Sequence, residues 1–298
     1  VRRTGLAAAL ALLMLAFLWN GDLTAQAVRD GLALCARSVI PSLFPFFVAV
    51  SCFTSLGLAR DCGRLLAPLT APVLGCSGAG SVAFLLGLLG GYPVGGRAVA
   101  ELYRTGSVDR DEAMHLLAFC NNCGPAFVLG VAGRARFGSM GAGLWLWAIH
   151  VAAALLTAQL HRGRGSRSAP LRPDAPALSL PDAFLRAVID GAETMLQVCA
   201  FVVFFLAVLR LVTVLTGLSH PALAGAVELT GGISLLTPDR AGFITAAALL
   251  GWGGLSVHCQ TVAALRGTDL SLRPQLAGKA LQAALSASLA AVVSIWLF

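Results

Sequence analysis

The chain has 298 residues, 57% of them hydrophobic and only 12% charged, with a mean hydropathy of +0.82. A soluble domain of this length is far less apolar, so the sequence reads as a polytopic membrane protein. Its formal charge of +7 comes almost wholly from arginines that fall between the apolar runs, which makes them topology signals and excludes nucleic acid as a partner.

Arg2 and Arg3 precede a short apolar run, Leu6 to Trp19, without a small-residue cleavage site before Asn20-Gly21-Asp22; a retained first helix is preferred over a signal peptide. Val28 to Leu58 is a second span, expected to bend at Pro41 and Pro45. Leu65 to Leu74 is too short to cross about 30 Å of hydrocarbon and suits an interfacial helix. Ser81 to Tyr103 carries a glycine-rich interruption, LLGLLGGYPVGGR, and either crosses once as a broken helix or returns as a hairpin. Met114 to Val131 and Leu144 to Leu160 are further spans, the former interrupted by FCNNCGP. The acid-free linker from His161 to Pro173 holds four arginines and reads as cytoplasmic. Met195 to Leu215, Phe243 to Leu265 and Leu276 to Phe298 follow, the middle one interrupted in LLGWGGLSVHCQ.

Counting crossings from a cytoplasmic N-terminus, the basic linker lands inside only if Ser81 to Tyr103 is a hairpin. An internal repeat supports this: AVRDG at Ala27–Gly31 recurs as AVIDG at Ala187–Gly191, and the same ungapped offset sets Phe44 on Phe204, Gly91 on Gly251 and Tyr92 on Trp252. The expected fold class is therefore an all-α polytopic membrane helix bundle with two inverted repeats and two glycine-rich re-entrant hairpins or broken helices. Its division is residues 27–160 for the first repeat plus an extra span, 161–180 for the linker and 181–298 for the second repeat.

Backbone freed by such breaks is tolerated in lipid only where protein encloses it or a cavity is present. Paired interruptions in the two halves point to a transporter's solute site. At each tip a helix N-terminus offers unpaired N–H groups suited to carboxylates or phosphates. Arg97 beside the first tip is either a clamp on a solute carboxylate or an ion pair with Glu101 one turn on. Asn121 and Asn122 either satisfy their own kink or touch the solute. Ser256, His258 and Gln260 lie on the second tip, where His258 binds a proton or a carboxylate or is a satisfied core histidine. Glu228 is a coupling-ion ligand or an interfacial acid. Cys120 and Cys123 form a lone CxxC without the partners a zinc site needs, the scattered cysteines imply no disulfide framework, and neither metal nor cofactor is expected. No HExxH, GxSxG or paired-aspartate motif points to an enzyme.

In order, GGYPVGGR, AFCNNCGPAFVLG and GWGGLSVHCQ resemble the YlbJ family of sporulation integral membrane proteins, whose segments are of the nucleoside-recognition or gate type. The resemblance implies a fold distantly like the concentrative nucleoside transporters. It implies movement of dipicolinic acid, a flat aromatic dicarboxylate, across the outer forespore membrane. The positions it marks are Gly91, Tyr92, Pro93, Gly95, Asn121, Asn122, Gly124, Pro125, Gly253, Gly254, Ser256, His258 and Gln260. Arg97 and the rings of Tyr92 and Trp252 would add charge and stacking for such a guest. A nucleoside, met by Asn121, Asn122 and Gln260, and a non-transporting scaffold are the alternatives, and a homo-oligomer in the lipid bilayer is compatible with each.

Overall fold

The computed structural model describes residues 2–161 and 178–298; residues 162–173 of the basic linker lie outside the described residues. Among the described residues every regular element is helical, and five helices are long and apolar enough to span a bilayer. Leu10, Leu12, Leu185, Leu196 and Ile295 are exposed, as lipid-facing side chains are in such a bundle.

α1 (Arg2–Trp19) leads into a 35-residue span made of α2 (Gly21–Leu34), one π-helical turn (Cys35–Val39) and α3 (Ile40–Ser55). Pro41 has no N–H for the carbonyl of Arg37, and the helix widens just ahead of it. There the Ile40 N–H donates to the Cys35 carbonyl, five residues back rather than four. The end of α4 (Leu58–Leu74) meets α5 (Gly78–Gly90) at 83°. Ser77 starts α5 by accepting the Gly80 N–H at 3.2 Å.

α5 and α6 (Val94–Arg104) are the arms of a hairpin. A Cβ on Gly87 would lie 2.8 Å from the Cα of Gly95, whereas eight residues of continuous helix separate two positions by about 12 Å. The hairpin reading of Ser81 to Tyr103 therefore holds. The span Met114 to Val131 is interrupted at FCNNCGP, as expected. α7 (Arg110–Leu117), capped by Asp109, stops early, residues 118–124 are non-helical, and a π-helical stretch (Ala126–Arg136) follows before α8 (Met140–Leu160).

In the second half, α9 (Leu180–Thr216) is one long helix ended by Gly217 in the left-handed conformation. α10 (Pro221–Val227) and α11 (Leu229–Leu235) fold back on each other about Glu228: a Cβ on Gly232 would fall 2.0 Å from the Cα of Gly225. α12 (Arg240–Trp252) and α13 (Leu255–Ala264) instead continue as one 25-residue span across Gly253 and Gly254, and α14 (Arg273–Leu297) closes the bundle. Of the two forms expected for a glycine-rich interruption, a re-entrant hairpin or a broken helix, this segment takes the second. Gly253 caps α12, Gly254 opens α13, and the chain resumes its direction rather than reversing it.

The matching glycines of the pentapeptides occupy like places in the two long spans, and the constant offset does not carry on beyond them. Gly31 packs against Val203 of α9, and Gly191 against Val48 of α3, so the two matching glycines let the long spans of the halves cross closely. Past that crossing α4 is inserted in the first half alone. The hairpin α5/α6 then corresponds in order to α10/α11, and the interruption at 118–124 to the one at Gly253–Gly254. Gly251, matched to Gly91 by the constant offset, lies inside α12 against Ala283 of α14.

Candidate functional site

Four backbone interruptions meet at the centre. Gly91 turns the first hairpin at φ +78°, and a Cβ there would sit 2.9 Å from the amide nitrogen of Gly124 in the unwound stretch. Tyr92, the next residue, donates its hydroxyl to the Leu250 carbonyl at 3.0 Å and lies against Gly253. Gly254 in turn approaches the carbonyls of Gly225 and Val227 and the amide of Leu229 at the second hairpin. The helix ladder is incomplete at such breaks, which is why they are enclosed by one another.

Between them is a cavity of about 40 Å³ lined by Tyr92, Cys123, Gly124, Glu228, Thr230, Ser256 and Gln260. That is room for water and not for an aromatic solute. Glu228 is buried there and caps α11, its two carboxylate oxygens accepting the N–H groups of Thr230 at 3.1 Å and Gly231 at 2.6 Å. A second acid in so small a space would be repelled, so the expectation that this point receives a dianion's carboxylates is not met.

A larger cavity of about 770 Å³ lies alongside, bounded by α3, α5, α6 and α9. Pro93, Arg97, Glu101, Asp190, Thr194, Gln197 and Gln260 line it. Gln260 is the one described residue shared by both cavities, and its Oε1 has no partner among the described residues. Among the described residues the charges of the larger cavity pair off with one exception. Glu101 meets Arg104 at 3.5 Å and Asp190 meets Arg186 at 3.6 Å. Arg97 does not pair with Glu101; its guanidinium donates to the Thr194 hydroxyl, a neutral partner.

The remaining expected residues stand behind the breaks. Asn121 donates to the Thr261 hydroxyl at 2.9 Å and accepts the Gly96 N–H at 3.4 Å. Asn122 donates to the Phe119 carbonyl at 2.7 Å and accepts from Gln282 at 3.1 Å and Lys279 at 3.3 Å. Both amides are fully buried and line neither cavity, so they satisfy the kink. Gly95 packs on the Cys120 carbonyl. Trp252 donates to the Ala226 carbonyl at 2.9 Å and stands edge-on to His258, 4.4 Å between centroids. It lines neither cavity, so the stacking pair expected of Tyr92 and Trp252 is not assembled. His258 faces Gln275 through Nδ1 at 3.2 Å, and Cys123 donates its N–H to His150 at 3.1 Å.

Sequence reasoning missed the polar face of α14. Gln275, Lys279, Gln282 and Ser286 are all fully buried and share one helical face, at intervals of four, three and four residues. In an otherwise apolar span that spacing was a visible signal.

Residues 36–138 match the family described as Gate, nucleoside recognition. Over 302 aligned residues the chain is 26% identical to the sporulation integral membrane protein YlbJ of Bacillus subtilis (strain 168), covering 86% of this chain and 74% of that protein. Its fold is similar to that of the nucleoside transporter CNTnw in an inward-facing, substrate-bound state, with a TM-score of 0.56, 15% identity, and coverage of 98% of this chain and 85% of that one. The resemblance carried by the three ordered motifs is borne out. The protein is an integral membrane protein similar to YlbJ, and its fold is like that of a concentrative nucleoside transporter.

Proposed function

We propose that the protein carries a small aromatic dicarboxylate of the dipicolinate type across a membrane, in a sporulating cell the outer forespore membrane. The observation that carries this reading is Arg97. It lines a cavity of ligand size, about 770 Å³, and among the described residues it is the one cation there whose partner is neutral. A guanidinium offers a planar carboxylate two parallel donors, and Thr194 and Gln197 stand beside it. The similarity to a sporulation membrane protein supports the setting. The cavities at and beside the breaks favour a transporter over a scaffold, whose centre would be packed.

A second reading rests on a different observation. The small cavity is walled by Glu228, Thr230, Ser256 and Gln260, groups that suit a neutral, hydroxyl-bearing solute such as a nucleoside if the hairpins part. Purified protein in proteoliposomes, offered labelled dipicolinate and labelled nucleosides in parallel, separates the two. Saturable dipicolinate uptake that nucleosides do not compete supports the dicarboxylate. Nucleoside uptake alone, or spores of normal dipicolinate content without this protein or a homologue, defeats it.

A further inference from the structure

Lys279 is the single lysine of the chain; every other residue in its Lys+Arg count of 21 is an arginine. It is also fully buried, on the inward face of α14. Arginine stays protonated in proteins, whereas a lysine can release its proton. Among the lysine and arginine side chains, the one able to do so is therefore at the centre of the bundle.

Its surroundings do not lock the charge. Nζ donates to Gln282 Oε1 at 2.6 Å and Asn122 Oδ1 at 3.3 Å and stands 5.5 Å from the centroid of the Tyr92 ring. Among the described residues no carboxylate lies in ion-pair range of it. The titratable groups facing it are Tyr92 from the hairpin tip, Cys120 and Cys123 from the unwound stretch, His150 from α8 through Gln282, and His258 from α13 through Gln275. Its own helix adds only the amides of Gln275 and Gln282. A structural ammonium in lipid is ordinarily paired with an acid. This one is held by two amide oxygens and a ring face.

We propose that Lys279 is a reversible proton site whose occupancy couples proton movement to movement of the solute. In the release step one Nζ–H bond breaks, its electron pair stays on nitrogen, and the proton passes to water. The contact of α14 with Asn122 then changes from charge-assisted to neutral. Asn122 belongs to the unwound stretch on which the Gly91 hairpin rests, and Tyr92 and Cys123, beside Lys279, line the small cavity. The charge on Nζ thus acts on the elements that must part for a solute to pass. The coupling half of the proposal rests on the anion reading above: a proton on Lys279 offsets one negative charge of a dicarboxylate.

The single lysine makes the test direct. With 15N-lysine incorporated and the full chain in lipid nanodiscs, Nζ gives one side-chain signal. It should move reversibly between the ammonium and amine positions as the pH is raised and lowered. A signal that stays ammonium or stays amine throughout overturns the proton site, whatever the solute. In proteoliposomes, Lys279→Gln should keep dipicolinate exchange, which needs no net proton movement, and lose accumulation driven by a pH gradient. Accumulation undiminished in Lys279→Gln overturns the coupling, and so does loss of exchange and accumulation together in a variant that Lys279→Met, of similar length, rescues in full. If the wild type neither exchanges nor accumulates dipicolinate, the anion reading fails, and the nitrogen signal still decides the proton site.

Discussion

Replacing Arg97 by Gln removes the one cation of the larger cavity that lacks an acid partner among the described residues, while Gln keeps the hydrogen bond to Thr194 within reach. A hydrogen bond to a charged group contributes about 1.5–3 kcal/mol. Arg97 is exposed to the cavity, where water screens the charge, so the lower end applies. A loss of about 1.4 kcal/mol is a tenfold change in binding. Arg97→Gln should therefore raise the KM for dipicolinate uptake into proteoliposomes about tenfold and leave nucleoside binding unchanged. Glu101→Gln should change it by no more than about fivefold, because Glu101 is an exposed partner of Arg104 and such pairs contribute about 0–1 kcal/mol. The double variant should behave like Arg97→Gln. An unchanged KM in Arg97→Gln, or uptake restored in the double variant, would refute a carboxylate held at Arg97.

Gly91→Val forces a side chain into a positive-φ position 2.9 Å from the Gly124 nitrogen, so uptake should be lost and the melting temperature lowered; wild-type uptake would show that the tip does not need its close approach. Gly95→Ala puts a methyl 2.0 Å from the Cys120 carbonyl and should destabilise the protein by about 1–3 kcal/mol in denaturant titrations, through separation of the hairpin from the unwound stretch. Single cysteines at Ala79 and Gly106, at the two ends of the α5/α6 hairpin, should react with an impermeant thiol reagent from the same side of the membrane; labelling from opposite sides contradicts the hairpin. The Asp269 carboxyl, in the loop before α14, is held below the usual carboxylate range by the Tyr103 hydroxyl, 2.6 Å away, with Arg110 assisting. Its stabilising contribution is therefore present above the ordinary carboxylate value and lost as pH falls through the depressed one. Hydrogen exchange in residues 265–272 should accelerate across that acid range, and in Tyr103→Phe the acceleration should begin at higher pH.

The membrane class, the long spans and the interruptions at Gly91, at residues 118–124 and at Gly253–Gly254 were legible because each is a local property. Apolar length sets a span, and a glycine cluster with Pro93 or Pro125 ends a helix whatever surrounds it. The matching pentapeptides marked two close crossings, since Gly31 and Gly191 each receive the opposite long span. The buried stripe of α14 was equally local, written in the spacing of Gln275, Lys279, Gln282 and Ser286.

What a glycine break does next is not local. Gly91 and Gly253 both take positive φ, yet one begins a reversal and the other a continuation, because the direction depends on which backbone can approach. At Gly91 the arms close through Gly87 and Gly95; at Gly253 the ring of Tyr92, from the other half of the chain, fills the adjoining space. The second hairpin escaped a sequence reading because its seven-residue arms are too short to show a helical period and turn on an acid, Glu228, rather than on a glycine. Tertiary packing likewise placed the charges. One turn of helix permits an Arg97–Glu101 pair, but α9 brings Thr194 to Arg97 and leaves Glu101 to Arg104. Sequence thus determined where the glycine-rich breaks fall and which polar groups are carried into the bilayer. Contacts between residues far apart in the chain determined which breaks fold back, which groups satisfy each other, and which charge is left facing a cavity.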